Sequence, residues 1–205
     1  MKSTRSIFYR LRFAVVGVLF LSVAFGSTAI VAASTANTTI SSVISPVLSV
    51  FTTNGTVNAN VTPTSGGAQT IASDTVTIST NDSSGYDLQL AESSGTTTLT
   101  SGSDTIPASS GTQTTPVVMA VNTWGYRVDT LGGFGSGPTS SQNSAAISGS
   151  IKFAGVPASG SPNTLKSTSG VATNDTTTVW YGVAANTSQA SGTYTNTVTY
   201  TATTN

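Results

Sequence analysis

Cysteine and histidine are both missing from this 205-residue chain, and Glu92 is its only glutamate. Without cysteine there can be no disulfide, no thiol nucleophile and no acylated lipoprotein anchor, so stability must come from core burial. Without histidine the commonest general base is gone, and with it most hydrolase triads and the His/Cys zinc sites. Charge is also scarce: charged residues make up 7% of the chain against 37% hydrophobic ones, so surface polarity has to come from the Ser and Thr that crowd the chain after residue 34. Thr packs well on a pleated surface while Ser, Asn and Gly favour turns, and this composition argues for β structure.

The few charges are unevenly placed. Lys2, Arg5, Arg10 and Arg12 precede an apolar run, and beyond it only Arg127, Lys152 and Lys166 stand against seven carboxylates. A mildly acidic body without a basic patch cannot neutralise a phosphate backbone, which argues against a nucleic-acid partner, and the same deficit disfavours anionic membrane surfaces.

Residues 1–12 (MKSTRSIFYRLR) are cationic, Phe13 to Gly26 form an uncharged apolar run, and small residues follow at STAIVAAS. This is the three-part layout of a secretory signal peptide, with cleavage expected between Ala33 and Ser34. The alternative is an uncleaved anchor, since residues 13–33 carry no charge and are long enough to span a bilayer. If uncleaved, the chain contacts a membrane only through residues 13–33; either way residues beyond 36 lie outside, because the positive flank keeps that end in the cytoplasm. The expected organisation is therefore a signal peptide or signal anchor over 1–33 and one β-sandwich domain over 34–205, secreted or displayed at the cell surface.

Period-two alternation recurs through the exported part. Tyr194, Val198, Tyr200 and Ala202 share one face against Thr195, Thr197, Thr199 and Thr201. Val76 and Ile78 alternate with threonines in Asp74 to Thr80, and Tyr86, Leu88 and Leu90 repeat the pattern after Asn81–Gly85, which reads as a hairpin loop with Gly85 at positive φ. Further strands are expected over Val43 to Thr53, edge-like because of Pro46, and over Thr56 to Thr62, with Asn54-Gly55 as a tight turn between them. Val117 to Val128, Ile151 to Phe153, Thr177 to Val183 and a short strand at Leu99 complete the set. No window has helical spacing, and Gly or Pro punctuates the chain throughout, which predicts an all-β fold: an antiparallel β-sandwich of Ig-like, Greek-key type. Residues 129–150 and 154–176 read as long Gly/Ser-rich loops, the usual place for binding on a rigid scaffold.

The segments DTVTISTNDSSGYDLQLA, NTWGYRVD and TVWYGVAANTSQASGTYTNTVTYTATTN resemble the strand signatures of WxL-type cell-surface domains of Gram-positive-type bacteria and of small secreted β-sandwich proteins of candidate-phylum bacteria. Gly85-Tyr86, Trp124, Trp180 and Ser191-Gly192-Thr193-Tyr194 occupy the places of that family's hairpin, two Trp motifs and last strand; Trp124-Gly125-Tyr126 and Trp180-Tyr181-Gly182 lack its leucine. The resemblance implies a β-sandwich associated with cell-wall polysaccharide or peptidoglycan.

For chemistry only carboxylates and lysines remain. Asp74, Asp82, Asp87, Glu92, Asp104, Asp129 and Asp175 could supply a glycosidase-like pair, but most sit in turn-like contexts where a carboxylate caps its own backbone. No enzyme activity, catalytic residue or cofactor is expected. Calcium is the ion for which the residues offer hard oxygen ligands, at Asn81, Asp82 and Asp87. Trp124, Tyr126 and Val128 share one face of their strand, as do Val179, Tyr181 and Val183, and these faces read as core. Trp180 falls on the opposite side and is expected to be exposed, the candidate for ligand contact. Arg127 and Asp129 read as a rim ion pair. Lys152 or Lys166, with an Asn and Glu92, could form an intramolecular isopeptide bond. Six Asn-x-Ser/Thr sequons, at Asn37, Asn54, Asn60, Asn81, Asn174 and Asn186, fit a surface-exposed chain. Two functions suit these features: a surface or cell-envelope protein that binds wall material or other surface proteins through its loops, and a pilin-like or surface-layer subunit that self-associates by β-strand addition.

Overall fold

The alternating segments form strands, and their apolar faces find one another across the molecule. The computed structural model describes residues 33–129 and 131–205. The export segment expected over 1–33 therefore lies outside them apart from Ala33, which like Ser34 is exposed and without regular structure. Residues 33–43, the described part of a first unit, are exposed throughout; Ile44–Asn205 form a second, compact unit.

Twelve strands succeed one another: β1 (Leu48–Thr52), β2 (Ala68–Thr80), β3 (Tyr86–Glu92), β4 (Leu99–Ser101), β5 (Asp104–Ile106), β6 (Val117–Val118), β7 (Thr123–Arg127), β8 (Gln142–Ser144), β9 (Lys152–Phe153), β10 (Asn163–Ser167), β11 (Ala172–Ala185) and β12 (Val198–Thr204). There is no helix among the described residues. The first sheet runs β1-β2-β11-β7, with β8 also on β2; the second runs β10-β3-β12, and β4-β5 and β6-β9 are small pairs. Every strand ladder is antiparallel.

The two main sheets face each other in a sandwich-like arrangement. Val76 and Ile78 of β2, Trp124 and Tyr126 of β7, and Val179 and Tyr181 of β11 meet Tyr86, Leu88 and Leu90 of β3 and Leu165 of β10 in one buried cluster. Val198, Tyr200 and Ala202 of β12 close it from the side as half-buried neighbours, as their alternation predicts. Burying a side chain of this size contributes about 1.5–3 kcal/mol, so this layer is the main source of stability in a chain without cross-links.

Several expectations are corrected. Asn81–Gly85 is no hairpin, because β2 and β3 belong to different sheets and the loop arches from one to the other. Both edges of β2 and both edges of β3 already have strand partners, and crossing over lets the two apolar faces meet. Gly85 does adopt φ 89°, and an added Cβ would lie 2.2 Å from the Thr168 carbonyl oxygen. Thr56–Thr62 is not a strand: Val57, Ala59 and Val61 are half-buried at period two, but the chain is extended without a ladder. The Asn54-Gly55 turn is likewise replaced by anchoring, since the Asn54 backbone N–H donates to Asp74 Oδ1 at 3.0 Å and its Nδ2 to the Ser73 carbonyl at 3.2 Å. That carries β1 alongside β2, from Leu48 opposite Thr80 to Thr52 opposite Val76. Val117–Val128 is broken into β6 and β7 by a turn with Asn122 at φ 56°. The expected loops are corrected too: 129–150 contributes β8, and 154–176 contributes β10, held by burial of Leu165, and the start of β11 at Ala172.

The first sheet also buries part of its outer face. Ile71 of β2 with Trp180 and Ala184 of β11 pack under Met119 and Phe153, flanked by Ile147 and Ile151. Gly182 permits this approach, as an added Cβ would stand 2.7 Å from the Phe153 ring and 2.8 Å from Met119 Sδ. Trp180 is only 6% exposed, so its expected role as an exposed ligand-contact aromatic is corrected: segments distant in sequence cover the face that alternation alone leaves to solvent.

Candidate functional site

β11 pairs with β2 along most of its length but with β7 only from Trp180 to Ala184. Its other edge is therefore unpaired by any strand between Ala172 and Val179. On that flank the two sheets are not sealed, and a shallow groove runs between β10 and β11. One part is lined by Val128, Asp129, Leu165, Lys166 and Thr176–Thr178; the other continues past Asp175 and Asn174 to Val171 and Thr168. The walls mix threonine hydroxyls with apolar side chains such as Leu131 and Leu165, and Val171 is 68% exposed at one end.

Ion pairs border the groove. Lys166 Nζ donates to Asp175 Oδ1 at 2.5 Å, and the Tyr86 hydroxyl donates to Asp175 Oδ2 at 2.7 Å, so this trio ties the second sheet to the first. Burial pushes the Asp175 carboxyl up, but hydrogen bonds from Lys166 and Tyr86 and the lysine charge outweigh it and hold the group below the usual carboxylate range. Burial, then the hydrogen bond to Asp175 and its charge, push the Tyr86 hydroxyl well above its ordinary value. The pair is thus a carboxylate and a neutral phenol around neutrality, and neither exchanges a proton there. Within the sandwich, Tyr126 donates to Gln113 Oε1 at 2.8 Å and accepts from Asn163 Nδ2 at 2.7 Å; burial pushes its hydroxyl up to about 12 despite the Asn163 bond. Thr177 faces into the groove, is 7% exposed, and its buried Oγ1 has no hydrogen-bond partner among the described residues.

Arg127 and Asp129 do pair, at 3.0 Å, but not at an open rim: the Arg127 side chain is fully buried. Its Nη1 donates to the Lys152 carbonyl and its Nη2 to the carbonyls of Phe134 and Gly135, with the Phe134 ring 5.8 Å from Cζ. The guanidinium thereby pins the segment after β7, which is a fixed wall rather than a free loop.

The three calcium-ligand candidates are occupied differently. Asn81 Oδ1 accepts the Val47 N–H at 2.6 Å and its Nδ2 donates to the Ser45 carbonyl. Asp82 Oδ1 accepts the Ser84 N–H at 2.8 Å, a cap within its own turn. Asp87 lies on β3 between Ser167 and Thr203, with a shielded Oδ1 that has no partner. Among the described residues no three acidic groups gather as a metal site. Glu92 accepts from Ser94, Gly95 and Ser159, and Lys166 meets Asp175, so Lys166 and Glu92 are engaged by other partners rather than by each other.

The groove residues Lys166, Asp175 and Thr177, and the buried Tyr86 that donates to Asp175, do not stand out in sequence as a site. The usable signal is scarcity: with three cations beyond residue 33, any carboxylate that meets one marks a place of structural consequence. Compared with known proteins, the chain matches no family model, no curated protein and no solved structure.

Proposed function

We propose that this chain is a non-enzymatic, exported bacterial-type protein of the cell surface or envelope, which binds wall polysaccharide, peptidoglycan or another surface protein along the groove between β10 and β11. The observation that carries this reading is the groove itself: a strand edge left unpaired among the described residues, bordered by threonine hydroxyls and apolar side chains, with the buried Thr177 Oγ1 without a partner there at its wall. An extended, hydroxyl-rich polymer could supply hydrogen bonds to such an edge without the charge that this surface lacks. Export is supported by the signal-like residues 1–33, and a binding rather than catalytic role by the structural contacts that engage Asp82, Glu92, Asp129 and Asp175. The order of motifs supports a WxL-like wall association, and the arch from β2 to β3 an Ig-like, Greek-key sandwich.

The test is retention of the purified chain on whole cells and isolated walls, compared with a Thr176→Lys variant that fills the groove with a charged side chain. Retention that falls with the variant supports the groove. No retention at any salt concentration, or retention indifferent to Thr176→Lys, overturns it. A second reading, a surface polymer subunit assembling by strand addition, is favoured by the free edge of β12. Filaments containing the chain in sheared surface material would support it.

A further inference from the structure

Residues Thr38–Ser45 (TTISSVIS) form an uncharged stretch with Ile40, Val43 and Ile44 between 83% and 91% exposed. Val47, Val50 and Phe51 extend this apolar exposure into β1. Such a run of aliphatic side chains in water is a segment in search of a partner.

Most sheet edges of the compact unit are covered or protected. The outer edge of β7 is capped by backbone bonds to Pro107, Ser109 and Ala154. β10 carries a bulge between Thr164 and Lys166, and the unpaired half of β11 carries the Lys166–Asp175 ion pair and a bulge between Ala172 and Asp175. Charges and bulges of this kind are what keep an edge from pairing with another chain.

β12 has neither. It pairs with β3 in unbroken register from Val198 opposite Glu92 to Thr204 opposite Tyr86, holds no charge and no proline, and nothing else among the described residues forms backbone hydrogen bonds to it. Its inward residues Val198, Tyr200 and Ala202 remain half-exposed, whereas Tyr86, Leu88 and Leu90 beside them are sealed. The second sheet is thus open to one more strand.

We propose that Thr38–Ser45 of one copy adds to the free edge of β12 of a second copy, with Ile40 and Ile44 over the half-exposed Ala202 and Val198 on either side of Tyr200, and with Ser41 outward beside the β12 threonines' row. Main-chain hydrogen bonds supply affinity in this mode and alternate side chains supply register. Pro46 ends the added strand, since it has no N–H to donate. The contact rests on the polymer reading above and names the surfaces that reading needs.

The absence of cysteine makes the test clean. Full chains carrying Ser41→Cys are mixed with differently tagged full chains carrying Thr199→Cys, Thr201→Cys or Thr203→Cys, oxidised, and resolved without reductant. The expected result is a mixed-tag dimer at one or two of these positions, absent with the exposed control Ser144→Cys on β8, and lost when Ile40 and Ile44 are both replaced by Asp. Ala202→Pro on β12 of the acceptor, whose N–H faces the free edge, should also abolish it while the β-type circular dichroism persists; an acceptor that loses its β spectrum is replaced by Thr203→Lys. Cross-linking no greater than to the β8 control, or insensitive to the Asp pair, overturns the proposal. A dimer without filaments on cells would leave this contact standing and remove the polymer reading alone.

Discussion

On the outer face of the first sheet Ile71, Trp180 and Ala184 lie under Met119 and Phe153, whereas on the outer face of the second sheet Thr199, Thr201 and Thr203 stand exposed. Both faces are built from strands that alternate apolar and polar residues, so alternation alone does not separate them. The difference lies in what the intervening chain does: residues after β6 and before β9 fold back over one sheet and leave the other bare. An outer face becomes core when a distant segment brings a Phe to it and a Gly in the strand makes room.

The comparison can be broken at its strongest point first. Phe153→Ala should cost about 4 kcal/mol in urea unfolding, the range for deleting a sealed aromatic side chain, although Phe153 sits outside the space between the main sheets. A loss under 1 kcal/mol would mean that the covered face contributes nothing a bare face lacks. Arg127→Met should cost about 3 kcal/mol, because it leaves the Lys152, Phe134 and Gly135 carbonyls without their donor and frees the segment after β7 that the guanidinium holds. Limited proteolysis should then cut within residues 131–141 first.

Gly182→Ala sharpens the same point by overfilling the layer. With the new Cβ 2.7 Å from the Phe153 ring, about 2 kcal/mol of destabilisation is expected on thermal unfolding, and the Phe153→Ala background should relieve it.

 Asp175→Asn tests the open flank, where an ion pair holds the sheets together in place of a sealed layer. Because the folded-state carboxyl sits below the usual range, its contribution is fully present above the unfolded value of about 3.9 and is lost as pH falls through the lower folded value. The variant should therefore be about 1 kcal/mol less stable than the parent at pH 7, with the gap closing toward pH 2. A gap that is constant with pH would show that the charge contributes nothing. The smallest effect belongs to the bare face: Thr199→Val should change stability by no more than about 0.5 kcal/mol in either direction.

Much of the sandwich was legible because it rests on local alternation. Val76 and Ile78, Tyr86 to Leu90, Trp124 and Tyr126, and Val179 and Tyr181 are buried on the faces their spacing indicates. Pro46 correctly marks β1 as an edge strand. The β2–β3 connection was misread because a Gly-containing loop between two alternating runs suits a hairpin and an arch equally well, and only the competition for strand edges separates them. Thr56–Thr62 was misread because three small apolar residues can alternate toward a core without completing a ladder. The groove was not legible at all: Tyr86, Lys166, Asp175 and Thr177 come from β3, β10 and β11, and nothing in their spacing brings them together.

What the amino-acid sequence determined by itself is the all-β character, the inward face of each main strand and the dependence on burial rather than cross-links, since each follows from side-chain type and a period of two. Only the tertiary structure decided which strands pair, that Trp180 and Arg127 are buried, that Lys166 meets Asp175, and that β12 keeps an open edge. These are contacts between residues far apart in the chain, and they are settled by which arrangement buries the most apolar surface while leaving the fewest polar groups unpaired.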